Sequence, residues 1–188
     1  MQSRRQALSA DELQAAAHRA CQRLTGLPVF RNSARIATYL AVNGELDPDP
    51  VVKSAWQHGK TIALPTLHDK HLEFLEYTAD TLMQTNSFGI PEPDPEHASG
   101  IPTHSLDLVL VPLVAFDISG NRLGMGGGFY DRTFAFLRDR EHASPTVLLG
   151  MAHEFQRVDA LSAASWDIPL HGIITDTAWY PASPLLNP

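Results

Sequence analysis

Four consecutive apolar residues, Leu108-Val109-Leu110-Val111, sit between Asp107 and Pro112 without any polar alternation. A strand with one face in water alternates; a strand apolar on both faces has to be covered on both. Such a strand belongs to a sheet between helix layers. The rest of the chain alternates accordingly. Ser9 and Glu12 form a capping-box pattern, and Leu13, Ala16, Ala17, Ala20 and Leu24 continue a helical stripe to about Gly26. Arg35 to Val42 reads as a buried strand, and Asp47-Pro48 opens a second helix through Trp56 that ends at Gly59. Thr61 to Leu64 is a short strand stopped by Pro65, and Leu72 to Tyr77 is another. Residues 84–105 read as loop, within which Phe88-Gly89-Ile90-Pro91-Glu92-Pro93 is apolar enough to pack. Thr146 to Met151 and Gly172 to Thr175 complete the strands, and residues 180–188 read as a loose tail. The expectation is an α/β fold: one domain spanning 1–188, a mostly parallel sheet sandwiched between helices, with ligands at the carboxyl ends of the strands.

The apolar strand leads into Arg122-Leu123-Gly124-Met125-Gly126-Gly127-Gly128-Phe129-Tyr130-Asp131, four glycines in five positions, followed by a helical stretch from Tyr130 to Asp139. Glycine lets backbone N–H groups approach an anion without a Cβ in the way, and a helix start adds free donors. Arg122 supplies a cation for phosphate and Asp131 a carboxylate for magnesium, the outline of a nucleoside triphosphate site. A dinucleotide fingerprint beginning at Gly124 needs glycine where Phe129 stands, and a Walker A loop needs a lysine, of which there is none after Lys70. The plain alternative is a flexible connector between strand and helix.

A net charge of −7, with three lysines beside eleven arginines, argues against generic nucleic-acid binding. The one cysteine, Cys21, falls on the apolar side of the first helix and reads as a small buried hydrophobe. No apolar stretch of membrane-spanning length and no signal-peptide pattern occurs, so a cytoplasmic setting is expected. His68, His71 and His153 read as surface or loop residues without metal-site spacing, and Trp56 and Trp166 as core or pocket walls.

The segment Pro112-Leu113-Val114-Ala115-Phe116-Asp117, with the tight turn Ser119-Gly120-Asn121 and the glycine run after it, resembles the signature of 5-formyltetrahydrofolate cyclo-ligases (methenyltetrahydrofolate synthetases). So do Gly44-Glu45-Leu46-Asp47, Phe88 to Pro93, and Trp166-Asp167-Ile168-Pro169, five segments in order from about Ser3 to Ala178. The resemblance implies a sheet like that of sugar-phosphate isomerases and coenzyme A transferases. It also implies conversion of 5-formyltetrahydrofolate and ATP to 5,10-methenyltetrahydrofolate, ADP and phosphate, with magnesium. By the same resemblance, Arg122, Leu123, Gly124, Met125, Gly126, Gly127, Gly128, Phe129 and Tyr130 bind ATP. Met125 to Phe129 also border the folate, Leu40 and Glu45 contact it, and Asp131 and Asp167 hold Mg2+. No nucleic acid, membrane or obligate protein partner is implied.

Each residue also has a plainer reading. Asp131 suits the first turn of a helix, Asp167 an ordinary turn, Glu45 a solvated loop, and Arg122 a pair with Asp117. Two features depart from the family pattern. Its members commonly begin with a basic Lys-x-x-Leu-Arg segment that contacts ATP, whereas this chain starts at the region resembling the following Arg-x-x-x-Leu-Ser, leaving Arg4 and Arg5 as candidate phosphate contacts. Many also carry a basic residue among the glycines, where this chain has Met125 and Gly127. A sugar-phosphate isomerase would need a lysine near the loop and a general base, a pair this lysine-poor chain lacks; a non-catalytic folate- or nucleotide-binding module would leave both aspartates without purpose.

Overall fold

The computed structural model describes residues 1–87, 89–138 and 146–182. Its helices are α1 (Gln2–Gln6), α2 (Ala10–Thr25), α3 (Pro28–Asn32), α4 (Asp49–Gln57) and α5 (Phe129–Thr133). Its strands are β1 (Arg35–Ala37), β2 (Thr61–His68), β3 (His71–Glu76), β4 (Met83–Thr85), β5 (Pro91–Pro93), β6 (Gly100–Ile101), β7 (Leu108–Pro112), β8 (Ala115–Phe116), β9 (Arg122–Leu123), β10 (Val147–Ala152), β11 (Gly172–Thr175) and β12 (Trp179–Pro181). The main sheet has the order β12-β11-β10-β7-β1-β2-β3-β6. Its middle, from β11 to β2, is parallel, and antiparallel strands finish both sides. The fold is therefore α/β with a large, mostly parallel central sheet.

Alternation along the strands decides what each face meets. Ile36, Ile62, Leu108 and Leu149 point into a core with Ala16, Ala20 and Leu24 of α2, Phe30 of α3 and Val51 of α4. Ala37, Ala63, Val109 and Leu148 point the other way, into a core with Phe116, Phe134 and Ile168. β7 is buried along Leu108 to Val111, as its unbroken apolar run requires. Cys21 is half-buried against the first core. At the start of α2 the Ser9 Oγ accepts the Glu12 N–H at 3.3 Å while Glu12 accepts the Ser9 N–H at 2.8 Å, the reciprocal capping pattern. Among the described residues no helix is long and apolar enough to cross a membrane.

Several expectations require correction. Pro65 does not stop β2. The Thr61 N–H donates to Ala34 and the Ala63 carbonyl accepts from Thr38, so odd-numbered residues of β2 face β1. The donor that Pro65 lacks would point past the end of β1, which stops at Ala37, and nothing is lost there. Residues 39–42, read as strand, run on beyond the end of β1 without joining the sheet. Residues 84–105 carry the short strands β5 and β6, and the supposed tail contributes Tyr180 and Pro181 to β12; residues 183–188 lie outside the described residues. The helix expected from Tyr130 to Asp139 is a single turn followed by a 3-10 segment at Ala135–Arg138; Asp139 lies outside the described residues, as does Phe88.

Candidate functional site

From β1 the chain passes through α4 to β2 on one side of the sheet, whereas β7 is followed by β10 on the other. The carboxyl ends of β1 and β7 thus diverge in their connections, and a crevice opens where they part. It is a cleft of about 1250 Å3, lined on one wall by Tyr39, Leu40 and Glu45 and on the other by the glycine run and Trp166-Asp167-Ile168.

The first wall rests on a tight turn. Glu45 N–H donates to the Val42 carbonyl at 3.1 Å, and the central residues Asn43 and Gly44 have φ of 52° and 72°. Positive φ at both central positions is the geometry that favours Asn-Gly. The turn carries Glu45 into the cleft wall, where its carboxylate is almost wholly buried. Glu45 Oε2 accepts the Val42 N–H at 3.1 Å, and Oε1 lies 3.5 Å from Arg5 Nη1. Burial pushes the Glu45 carboxyl above its ordinary value, while the Val42 N–H and the Arg5 charge pull against that rise. Glu45 is therefore no solvated loop acid. Arg5 is buried as well, its side chain 1% exposed and turned to Glu45, whereas Arg4 lies over the Phe155 ring at 4.5 Å.

The second wall begins with the β8–β9 hairpin. Asp117 sits at its turn, accepting the Ser119 and Asn121 backbone N–H groups, the Asn121 amide and the Leu161 N–H. Burial opposes ionisation of Asp117, but these bonds outweigh it and hold the carboxyl below its usual range. Asp117 is thus fully used, and Arg122 pairs elsewhere. Arg122 Nη2 donates to Asp131 Oδ1 at 2.5 Å and Nη1 to the Ile168 carbonyl; the Ile168 N–H donates back to the same Asp131 oxygen at 3.0 Å. The two expected phosphate and metal residues are thereby joined to each other and to the residue following Asp167. The Asp167 carboxylate accepts the Ala164 N–H at 2.8 Å, the turn contact anticipated as its plainer reading. Between these anchors Gly124 and Gly126 have open space where a Cβ would stand. Gly128, at φ 62°, starts α5, and Arg132 ties the end of the loop down by donating to the carbonyls of Gly127 and Lys70. With α5 only five residues long, its dipole contributes little at this end of the loop. Met125 and Trp166 are 68% and 67% exposed at the cleft, so Trp166 is a wall. Trp56 packs on Tyr77 against the core, away from the site.

Among the described residues no three His, Cys, Asp or Glu side chains gather as a ready-made metal cage. Asp131 Oδ2 and Asp167 Oδ1 carry no hydrogen bond there, leaving two hard oxygen donors of the kind magnesium takes beside phosphates and water. The donor set fits an ion that arrives with its own oxygen ligands. His68 pairs with Glu73 across the β2–β3 hairpin. His153, expected as a surface or loop residue, lies in the loop before the 3-10 turn Glu154–Gln156 but is buried: its Nε2 lies 3.1 Å from the Gly44 carbonyl, so it acts as donor there, and its ring stacks on Phe155. Nothing in the local sequence marks His153 or Arg5 as buried, since their partners lie 109 and 40 residues away. Tyr130 went unnoticed as an electrostatic neighbour of Glu45; burial first, then that carboxylate, raises its phenol.

The 5-formyltetrahydrofolate cyclo-ligase family model matches residues 1–176. The 5-formyltetrahydrofolate cyclo-ligase of Haemophilus influenzae is 42% identical over 147 residues, covering 77% of this chain and 76% of that one. The Escherichia coli K12 protein of the same name is 38% identical over 178 residues, covering 93% and 96%. The solved 5,10-methenyltetrahydrofolate synthetase of Aquifex aeolicus superposes with a TM-score of 0.81 at 27% identity, covering 96% of this chain and 88% of that one. A cleft built from the same segments in the same order, on a backbone this similar, leaves one assignment: the chain is an enzyme of the 5-formyltetrahydrofolate cyclo-ligase family.

Proposed function

We propose that this enzyme uses ATP, with Mg2+, to convert 5-formyltetrahydrofolate into 5,10-methenyltetrahydrofolate, releasing ADP and phosphate. The observation that carries the reading is the cleft itself. Its 1250 Å3 exceeds the roughly 300–1000 Å3 of a site for one small ligand, and a glycine loop borders it opposite a buried carboxylate. Two ligands therefore fit face to face, phosphates on the loop and the folate towards Leu40 and Glu45. The scaffold we propose is one domain over residues 1–188, a three-layer α/β/α sandwich of the kind shared by sugar-phosphate isomerases and coenzyme A transferases. Helices on both faces of the sheet support it.

The chemical problem is a formamide oxygen that leaves poorly and an N10 that attacks weakly. Transfer of the γ-phosphoryl group from ATP to the formyl oxygen releases ADP and makes the formyl carbon electrophilic. N10 donates its electron pair to that carbon and loses its proton; the carbon–oxygen bond then breaks, and phosphate departs with the bonding pair. Backbone N–H groups of Gly124 and Gly126, where nothing stands within 4 Å of a Cβ position, receive phosphate oxygens. Arg122 holds Asp131 in place and lends positive charge at short range. Mg2+, when bound through Asp131 and Asp167, supplies charge neutralisation to the transferring phosphoryl group. Glu45 accepts N–H donors of the pterin, and Met125 to Phe129, shared by both ligands, bring the phosphate beside the formyl group. Most of the work asked of the protein is positioning and charge neutralisation.

The test is to mix purified protein with 5-formyltetrahydrofolate and Mg-ATP, following the near-ultraviolet absorbance of the methenyl product together with ADP. Product that forms only with ATP and magnesium, matched by one ADP each, is the expected result. Product without ATP consumption would refute the phosphorylation route.

A further inference from the structure

We propose that Arg5 is a positioning residue for Glu45, reaching from α1 beneath the cleft wall to fix the carboxylate that faces the folate. The inference rests on the reading of Glu45 given above. Along α1 the side chains of Gln2, Ser3, Arg4 and Gln6 are exposed, and Arg5 alone turns inward to near-complete burial. A buried guanidinium requires an anion and acceptors to offset its lost hydration. Arg5 finds them at the site: Nη1 lies 3.5 Å from Glu45 Oε1 and donates to the Leu113 carbonyl at 3.3 Å. Glu45 comes after β1 and Leu113 directly after β7, and both line the cleft, so one side chain joins the segments that leave the two strands. Its Nε is buried with no hydrogen-bond partner among the described residues, an arrangement that stability alone would not favour.

The backbone repeats the linkage. A Cβ on Gly44 would stand 2.5 Å from the Arg5 carbonyl oxygen, so α1 presses directly on the turn that presents Glu45. From behind, His153 donates to the Gly44 carbonyl, and from α5 the Tyr130 phenol shares the field of the carboxylate, as does Tyr39 beside β1. Arg5 is the one cation in contact with Glu45 among the described residues. Without it the carboxylate keeps only its bond to Val42 N–H, a contact that leaves it free to turn or to take up a proton.

The experiment compares R5M, R5K, E45Q and the R5M/E45Q double variant by Michaelis constants for 5-formyltetrahydrofolate and for ATP, with thermal melting of each. R5M and E45Q are each expected to raise the folate constant about tenfold, the worth of one oriented charged hydrogen bond, with the ATP constant unchanged. The double variant is expected to be no worse than either single one, since both remove the same interaction. R5K retains the charge, but its ammonium ends one bond short of the position of Nη1, farther from Glu45 and Leu113, and it is expected to raise the folate constant by a smaller factor, a readout that stands even if R5M fails to fold. A larger effect of R5M or R5K on the ATP constant would make Arg5 a phosphate contact and overturn the inference. Additive losses in the double variant, or an unchanged folate constant in R5K, would overturn it also. An unchanged folate constant in E45Q would remove the folate reading of Glu45 first, and the inference with it.

Discussion

Gly44→Ala loads the cleft wall in two separable ways. The first is conformational: at φ +72° an alanine costs about 1–2 kcal/mol relative to glycine. The second is steric. The new Cβ would meet the carbonyl oxygen of Arg5 at 2.5 Å and its carbon at 2.7 Å, both main-chain atoms of α1 that no rotamer can move. Relief requires α1 or the turn to shift, an overpacking cost of about 1–3 kcal/mol. The sum is about 3 kcal/mol, and for a chain of this length it lowers the melting temperature by about 9 °C. Gly59 provides the control, with φ +67° and nothing within 4 Å of its Cβ position. Gly59→Ala therefore bears only the conformational part, about 1–2 kcal/mol or about 4 °C. The assay is thermal unfolding followed by circular dichroism on both variants, with the folate Michaelis constant measured alongside. Gly44→Ala is expected to raise that constant and Gly59→Ala to leave it alone. Equal melting temperatures for the two variants would show that contact with α1 does not restrict the turn, and the steric argument would fail.

Asp131→Asn is expected to lower turnover about a hundredfold or more, through loss of a proposed metal ligand. Because Asp131 also binds Arg122, the same change is expected to cost about 2 kcal/mol of stability, seen as an earlier urea midpoint, rather than leaving the fold untouched. Wild-type turnover in that variant would remove Asp131 from the mechanism. Acid should weaken the fold through its histidines. His171 Nδ1 accepts the Leu148 N–H at 3.0 Å, and burial holds this ring, like that of His153, below its ordinary value. A histidine depressed in the folded state contributes stability that is complete above its unfolded value and is lost as pH falls towards the folded one. Urea midpoints are expected to fall from about pH 6.5 downward, and His171→Asn, whose amide oxygen can accept the same N–H, is expected to flatten that slope. An identical pH profile in the variant would refute the assignment.

What the sequence made legible was local. The capping pair Ser9 and Glu12 and the stripe behind it define α2 within one turn of the helix, so its start needs no knowledge of the rest. β7 and β11 announce themselves because burial on both faces leaves its mark on every residue. Pro65 misleads because a proline stops a strand only if a neighbour needs its donor, and the end of β1 is a property of the assembled sheet. Tyr39 to Val42 look like strand because they are apolar, yet they serve the cleft instead. The candidate site positions come from family resemblance, which says nothing of their bonds. Nothing in the motif tells that Arg122 holds Asp131 instead of standing free, or that an exposed-looking arginine near the start reaches Glu45.

The division of the cleft along the chain has a genetic consequence. The residues that line the cleft fall in two runs of the chain, one at or before Pro91 and the other at or after Pro112. The short 3-10 turn Thr103–Ser105 lies between them. A crossover there between two related genes exchanges one run of lining residues entire, and Arg5 travels with Glu45 on the same fragment. Its hydrogen bond across the junction ends on the Leu113 carbonyl, a main-chain acceptor that any partner sequence supplies. The Arg5–Glu45 pair is thereby inherited as one unit.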